Sequence, residues 1–110
     1  MTVPYSDETL TREEVDNLKG SALLDFGNNW CGYCSRTRPW VDAAVGEHPG
    51  VRHIRVADAS GKRLGRSFGV KLWPTLVFLR DGAEVARLVR PTDPREIGEA
   101  LAKIDPKAAS

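Results

Sequence analysis

LLDFGNNWCGYC, residues 23–34, decides how the rest of the chain is read. Its first half belongs to SALLDF, residues 21–26, a short and mostly apolar run between turn signals, which predicts a strand. Gly27 and the two asparagines then break that strand. From Cys31 or Gly32 to about Glu47 the residues Trp40, Val41, Ala44 and Val45 supply an apolar stripe at helical spacing, so the second half opens a helix. Pro39 falls inside that span. An interior proline lacks an amide donor and collides with the preceding turn, which predicts a kink there or a shorter helix starting at Pro39. VRHIRVA, residues 51–57, reads as a second strand, and strand, helix and strand make a βαβ unit around the quoted stretch.

Outward from this unit, Thr11 and Glu14 have the spacing of a capping box and predict a short helix from Arg12 to Lys19, ended by Gly20. Leu64 and Phe68, four apart with Gly69 behind them, predict a third helix. TLVFLR, residues 75–80, follows a proline and is apolar toward both sides, as a central strand is. Asp81-Gly82 turns it into EVARLV, residues 84–89. Asp93, Pro94 and Glu96 start a last helix whose buried stripe is Ile97, Leu101 and Ile104. The order αβαβαββα predicts the α/β class, with a mixed sheet of about four strands flanked by helices on both faces. A chain of 110 residues buries one core, so residues 1–110 read as a single domain with an ordered core of about 11–104 and loose ends at 1–10 and 105–110.

The composition, 41% hydrophobic and 28% charged, is that of an ordinary soluble domain. Sixteen basic against fifteen acidic side chains leave a formal charge of +1, without the electropositive footprint that nucleic-acid binding requires. Lysines and arginines are spread along the chain as solvated faces. The N-terminus has no basic region followed by an apolar run, and TLVFL is too short to cross a bilayer, so no membrane association is expected. These features point to the cytoplasm, although a secreted chain trimmed of its leader would read the same.

Cys31 and Cys34 are the only cysteines. At the first turn of a helix their i, i+3 spacing brings both sulfurs to one side, where a disulfide can close locally. The unpaired amides and positive dipole end of that helix stabilise a thiolate at Cys31, which makes it the nucleophile. Cys34, one turn further in, is placed to attack the resulting mixed disulfide and release the reduced product. Asp25 stands six residues before Cys31 at the end of the preceding strand, among Ala22, Leu23, Leu24 and Phe26. A carboxylate there either faces water or is desolvated, and in the second case it can take the proton of Cys34. The competing reading is metal: Cys31, Cys34, His48 and His53 fit a zinc spacing. Pro49-Gly50 breaks any helix that would carry both histidines on one face, so no metal site is expected and the histidines read as solvated.

The stretch LLDFGNNWCGYC, Pro39 five positions after Cys34, WPT at 73–75 and a DG hairpin turn together resemble the thioredoxins and thioredoxin-like proteins, from about residue 11 to 104. The resemblance implies the thioredoxin fold, Cys31 as attacking and Cys34 as resolving cysteine, Trp30 packed beside them, and Asp25 as the buried acid. It implies a cis bond before Pro74 and a Trp73 backbone offered to an extended peptide, with Trp30, Gly32, Tyr33, Trp73 and Pro74 as the client-binding surface. Pro39 corresponds to the family's helix kink. No cofactor is implied beyond the redox-active Cys31-Cys34 disulfide. The implied partners are disulfide-containing client proteins and a thioredoxin-reductase-like electron donor, and the implied state is a monomer.

Departures from the family concern partners more than the reaction. Gly27 stands where a second tryptophan is usual, and Ile54 lies near the place of a buried lysine that would accompany the acid. Tyr33 replaces a proline inside the motif, and VRPT lacks a glycine that helps dock substrates. Because Tyr33 lacks proline's fixed φ, a less reducing potential than that of ordinary thioredoxin is expected. The functional reading is a reductase of protein disulfides, with an isomerase or oxidase of the same fold, or a non-catalytic peptide-binding module, as alternatives.

Overall fold

A computed structural model describes residues 10–59 and 61–106. The Thr11 hydroxyl accepts the Glu14 amide at 3.1 Å while Glu14 Oε1 accepts the Thr11 amide at 2.9 Å, and this capping box starts α1 (Arg12–Asp16). The helix ends earlier than Lys19 because Val15 is its one buried residue and Asn17 Nδ2 turns back to the Glu13 carbonyl, 3.0 Å away. The strand β1 (Ser21–Gly27), the helix α2 (Gly32–Gly46) and the strand β2 (Val51–Ala57) form the expected unit, with β1 and β2 parallel. The helix α2 runs unbroken through Pro39, so the shorter alternative does not form. The carbonyl freed by the missing Pro39 amide is that of Ser35, and both residues lie on the exposed side, where water can satisfy it.

After α3 (Arg63–Ser67) the chain turns at Gly69, whose φ of +68° only glycine adopts easily, and enters β3 (Thr75–Arg80). Asp81 and Gly82 both take positive φ, 50° and 80°, which matches the twist of a tight hairpin into β4 (Ala83–Val89). The last helix, α4 (Pro94–Ile104), begins where Asp93 Oδ1 accepts the Arg95 amide at 2.9 Å. The sheet order is β2-β1-β3-β4, with β3 antiparallel to both of its neighbours.

Strand alternation sends side chains to two cores. Ala22, Leu24, Phe26, Val56, Val77 and Leu79 pack with Val15, Leu64 and Phe68 of the α1 and α3 layer. Leu23, Val51, Leu76 and Phe78 pack with Val41 of α2 and with Ile97, Leu101 and Ile104 of α4. Each fully buried leucine or phenylalanine here contributes about 1.5–3 kcal/mol. No helix among the described residues is long and apolar enough to cross a membrane.

Two expectations are corrected. The loose end proposed for 105–110 begins too early: Asp105 is buried and meets His48 Nδ1, and Ser21 Oγ donates to the Ile104 carbonyl, so the chain is held through Asp105. The rest of that segment, and residues 1–9 of the other end, lie outside the described residues. The histidines are not solvated: His48 meets Asp105, and His53 is 9% exposed with Nε2 3.6 Å from Asp25 Oδ2.

Candidate active site

Where β1 ends and α2 begins, the fold sets the two sulfurs at different depths. Cys31 is the N-cap of α2, with φ −81° and ψ 119°, and its Sγ accepts the Cys34 amide at 3.1 Å. A sulfur in this position meets the orphan amides and the positive end of the helix dipole. Cys31 is partly exposed and Cys34 fully buried, and no disulfide joins the two. An incoming disulfide can therefore reach Cys31 and not Cys34. Gly32 and Tyr33 between them are exposed. Trp30 does not pack beside the cysteines: it is 91% exposed, because the Trp30 amide donates to Asn28 Oδ1 in a turn that carries the ring outward.

Asp25 is 1% exposed on the face of β1 that looks toward α2. The strand register places it opposite Arg55, whose Nε donates to Asp25 Oδ2 at 3.0 Å, and Arg55 Nη2 reaches Asp42 Oδ1 of α2 at 3.1 Å. His53 stands on the same face two residues earlier, its 3.6 Å approach to Asp25 being longer than a hydrogen bond. The acid thus has a buried cationic partner, contrary to the reading that Ile54 takes that place. Ile54 points to the opposite core, since one step along a strand changes the face.

The Trp73–Pro74 peptide is cis, and Pro74 is buried. The Trp73 indole Nε1 donates to Asp58 Oδ2 at 2.8 Å, while the Asp58 amide donates to the Gly27 carbonyl at 2.7 Å. The bulky ring beside the end of β1 therefore comes from the loop before β3. The Asp58 carboxylate lies so close to α3 that a Cβ on Gly65 would meet Asp58 Oδ1 at 2.2 Å. The Trp73 carbonyl is not bare: Arg90 Nε donates to it at 2.8 Å, and the Arg90 amide donates to the Pro74 carbonyl at 2.9 Å. The Arg90 guanidinium carbon lies 4.2 Å from the centre of the Tyr33 ring, and that of Arg36 lies 5.2 Å away. Arg90 thereby joins the Trp73-Pro74 loop to the first turn of α2.

Arg55, Asp58 and Arg90 are the site residues that sequence reasoning missed. Cys31 and Cys34 do not converge with the histidines, which point at Asp105 and Asp25 separately, and no group of three or more metal-binding side chains occurs among the described residues.

The family model described as Thioredoxin matches residues 2–103. A thioredoxin of Chlamydia muridarum is 33% identical over 84 residues, covering 76% of this chain and 82% of its own. A thioredoxin of Mycolicibacterium smegmatis is 30% identical over 107 residues, covering 91% and 95%. Among solved structures, thioredoxin 2 from Pseudomonas aeruginosa PAO1 in its reduced form superposes with a TM-score of 0.86 at 47% identity, over 97% of this chain and 99% of its own. With the match spanning sheet, helices and the paired cysteines at the head of α2, the chain belongs to the thioredoxin family of thiol-disulfide oxidoreductases.

Proposed function

We propose that the chain reduces disulfides of client proteins, with Cys31 attacking and Cys34 resolving. The observation that carries this reading is the Cys31 sulfur at the head of α2, accepting the Cys34 amide at 3.1 Å while Cys34 itself is sealed from solvent. The Cys31 thiolate attacks one sulfur of the client disulfide, forms a Cys31–client disulfide and expels the other client sulfur as a thiolate that takes a proton from water. Cys34 then gives its proton to Asp25 and attacks Cys31 Sγ, closing Cys31-Cys34 and releasing the second client thiolate. The second client thiolate also takes its proton from water, so the client gains two electrons and two protons; the dithiol loses the two electrons and one proton, that of Cys34, which Asp25 returns to solvent.

In this reading Asp25, buried on the sheet face toward α2, takes the proton, and Arg55 orients its carboxylate. Trp30, Gly32 and Tyr33, exposed around Cys31, and Trp73 beside Pro74 form the surface a client meets. A flavin- and nicotinamide-dependent reductase of the thioredoxin-reductase type returns the disulfide to the dithiol. The chain works in the cytoplasm as a monomer and needs no cofactor beyond its own disulfide. Insulin reduction by dithiothreitol tests the reading. The native protein accelerates turbidity and Cys31→Ser does not; equal turbidity from both would reject catalysis by Cys31.

A further inference from the structure

We propose that the rim around Cys31 selects clients whose disulfide is flanked by carboxylates, and that Arg36 and Arg90 are the residues that make the selection. This rests on the disulfide-reducing reading and names the chemistry of its substrates. Two hollows adjoin the site. One of about 440 Å³ is lined by Gly32, Tyr33 and Arg36. The other, about 580 Å³, is bordered by Trp73 and carries Arg66 and Lys71 on its wall. The only acid among the described residues on those walls, Asp58, is 6% exposed and already accepts the Trp73 indole proton.

Arg90 closes over Tyr33 between the Trp73-Pro74 loop and α2, and it does so from a left-handed backbone, φ +48°, that a glycine would adopt without strain. What the strained position provides is a guanidinium fixed over the aromatic ring next to the reactive sulfur. Among the described residues neither Arg36 nor Arg90 pairs with a carboxylate, so both charges are available to an incoming group. The whole chain carries only +1, so this clustering is local and not the reflection of a general excess. A carboxylate beside the client's cystine would meet Arg36 or Arg90 as the sulfur approaches Cys31, and a guanidinium binds it with two parallel hydrogen bonds. An ammonium group would be repelled.

The test uses three small disulfides of similar size, 3,3′-dithiodipropionate, 2-hydroxyethyl disulfide and cystamine, which are anionic, neutral and cationic. The rate at which each oxidises the reduced protein is followed by stopped-flow at low salt. At roughly 7 Å in water a unit charge changes an encounter about threefold, so removing one arginine should lower the anionic-to-cationic rate ratio roughly sevenfold. Arg36→Gln, an exposed change, and Arg90→Gly, which relaxes the backbone as it removes the charge, should each show this drop, and 0.5 M salt should suppress most of it. Arg52→Gln, an exposed arginine on β2, removes the same charge away from the rim and should leave the ratio in place.

A ratio that stays the same in the Arg36→Gln/Arg90→Gly pair, or falls as far in Arg52→Gln, would overturn the selection while leaving disulfide reduction intact. Failure of all three disulfides to oxidise the native protein would remove the reductase reading and this inference with it.

Discussion

Replacing Gly65 with alanine adds one methyl group to α3, and its effect should change sign with the residue at position 58. In an unobstructed helix the change from glycine to alanine stabilises by about 0.5–1 kcal/mol. Here the new Cβ would lie 2.2 Å from Asp58 Oδ1, 2.6 Å from its Cγ and 2.8 Å from Oδ2. Normal contact begins near 3.4 Å, so the carboxylate must retreat by more than 1 Å, and the 2.8 Å bond from the Trp73 indole to Asp58 Oδ2 cannot survive. A hydrogen bond to a charged group contributes about 1.5–3 kcal/mol, which exceeds the gain in helix propensity. Gly65→Ala in the native background should therefore destabilise by about 1–2 kcal/mol, the difference between those two quantities. In an Asp58→Ala background the obstruction is gone and the same change should stabilise by about 0.5–1 kcal/mol. Urea unfolding of the four proteins followed by tryptophan fluorescence measures both numbers. Gly65→Ala destabilising equally in the two backgrounds, or stabilising the native one, would refute the contact between α3 and Asp58.

Arg55→Met leaves the buried Asp25 carboxylate without its 3.0 Å partner and should cost about 3–5 kcal/mol in urea unfolding, most of it recovered when Asp25→Leu is added. Gly82→Ala forces a side chain onto a φ of +80° and brings its Cβ to 2.1 Å from the Asp16 carbonyl oxygen; a loss of more than about 2 kcal/mol, or no folded protein by circular dichroism, is expected. Asp25→Asn should slow release of the reduced client about a hundredfold, the lower end of general-base catalysis, and slow formation of the mixed disulfide far less, as quenched-flow mass spectrometry can resolve.

The order of all eight elements was legible because each boundary carries a local signal: the Thr11 and Asp93 caps, the Asp81-Gly82 turn, and the glycine after α3. The two cysteines and the acid at the end of β1 were legible for the same reason, since strand end and helix start follow within a few residues. What was not legible depends on which way a side chain points. VRHIRVA has no clean alternation, so nothing in it told that Arg55 faces Asp25 while Ile54 faces the opposite core. Asp58 and Gly65 are seven residues apart and only the packing of α3 joins them, although a glycine inside a short helix is a signal of close approach. In sequence, the stretch VRPT that contains Arg90 shows only the absence of a glycine. Its side chain, bonded to the Trp73 carbonyl and set over Tyr33, acts across three separate parts of the chain, which a linear reading does not bring together.

The division of labour between the two sulfurs is tested most directly by trapping. Cys34→Ser protein incubated with insulin should accumulate a covalent adduct whose mass and peptide map place the bond on Cys31, and Cys31→Ser under the same conditions should accumulate none. Adducts on Cys34 in the Cys31→Ser protein, formed as fast as those on Cys31, would contradict the account.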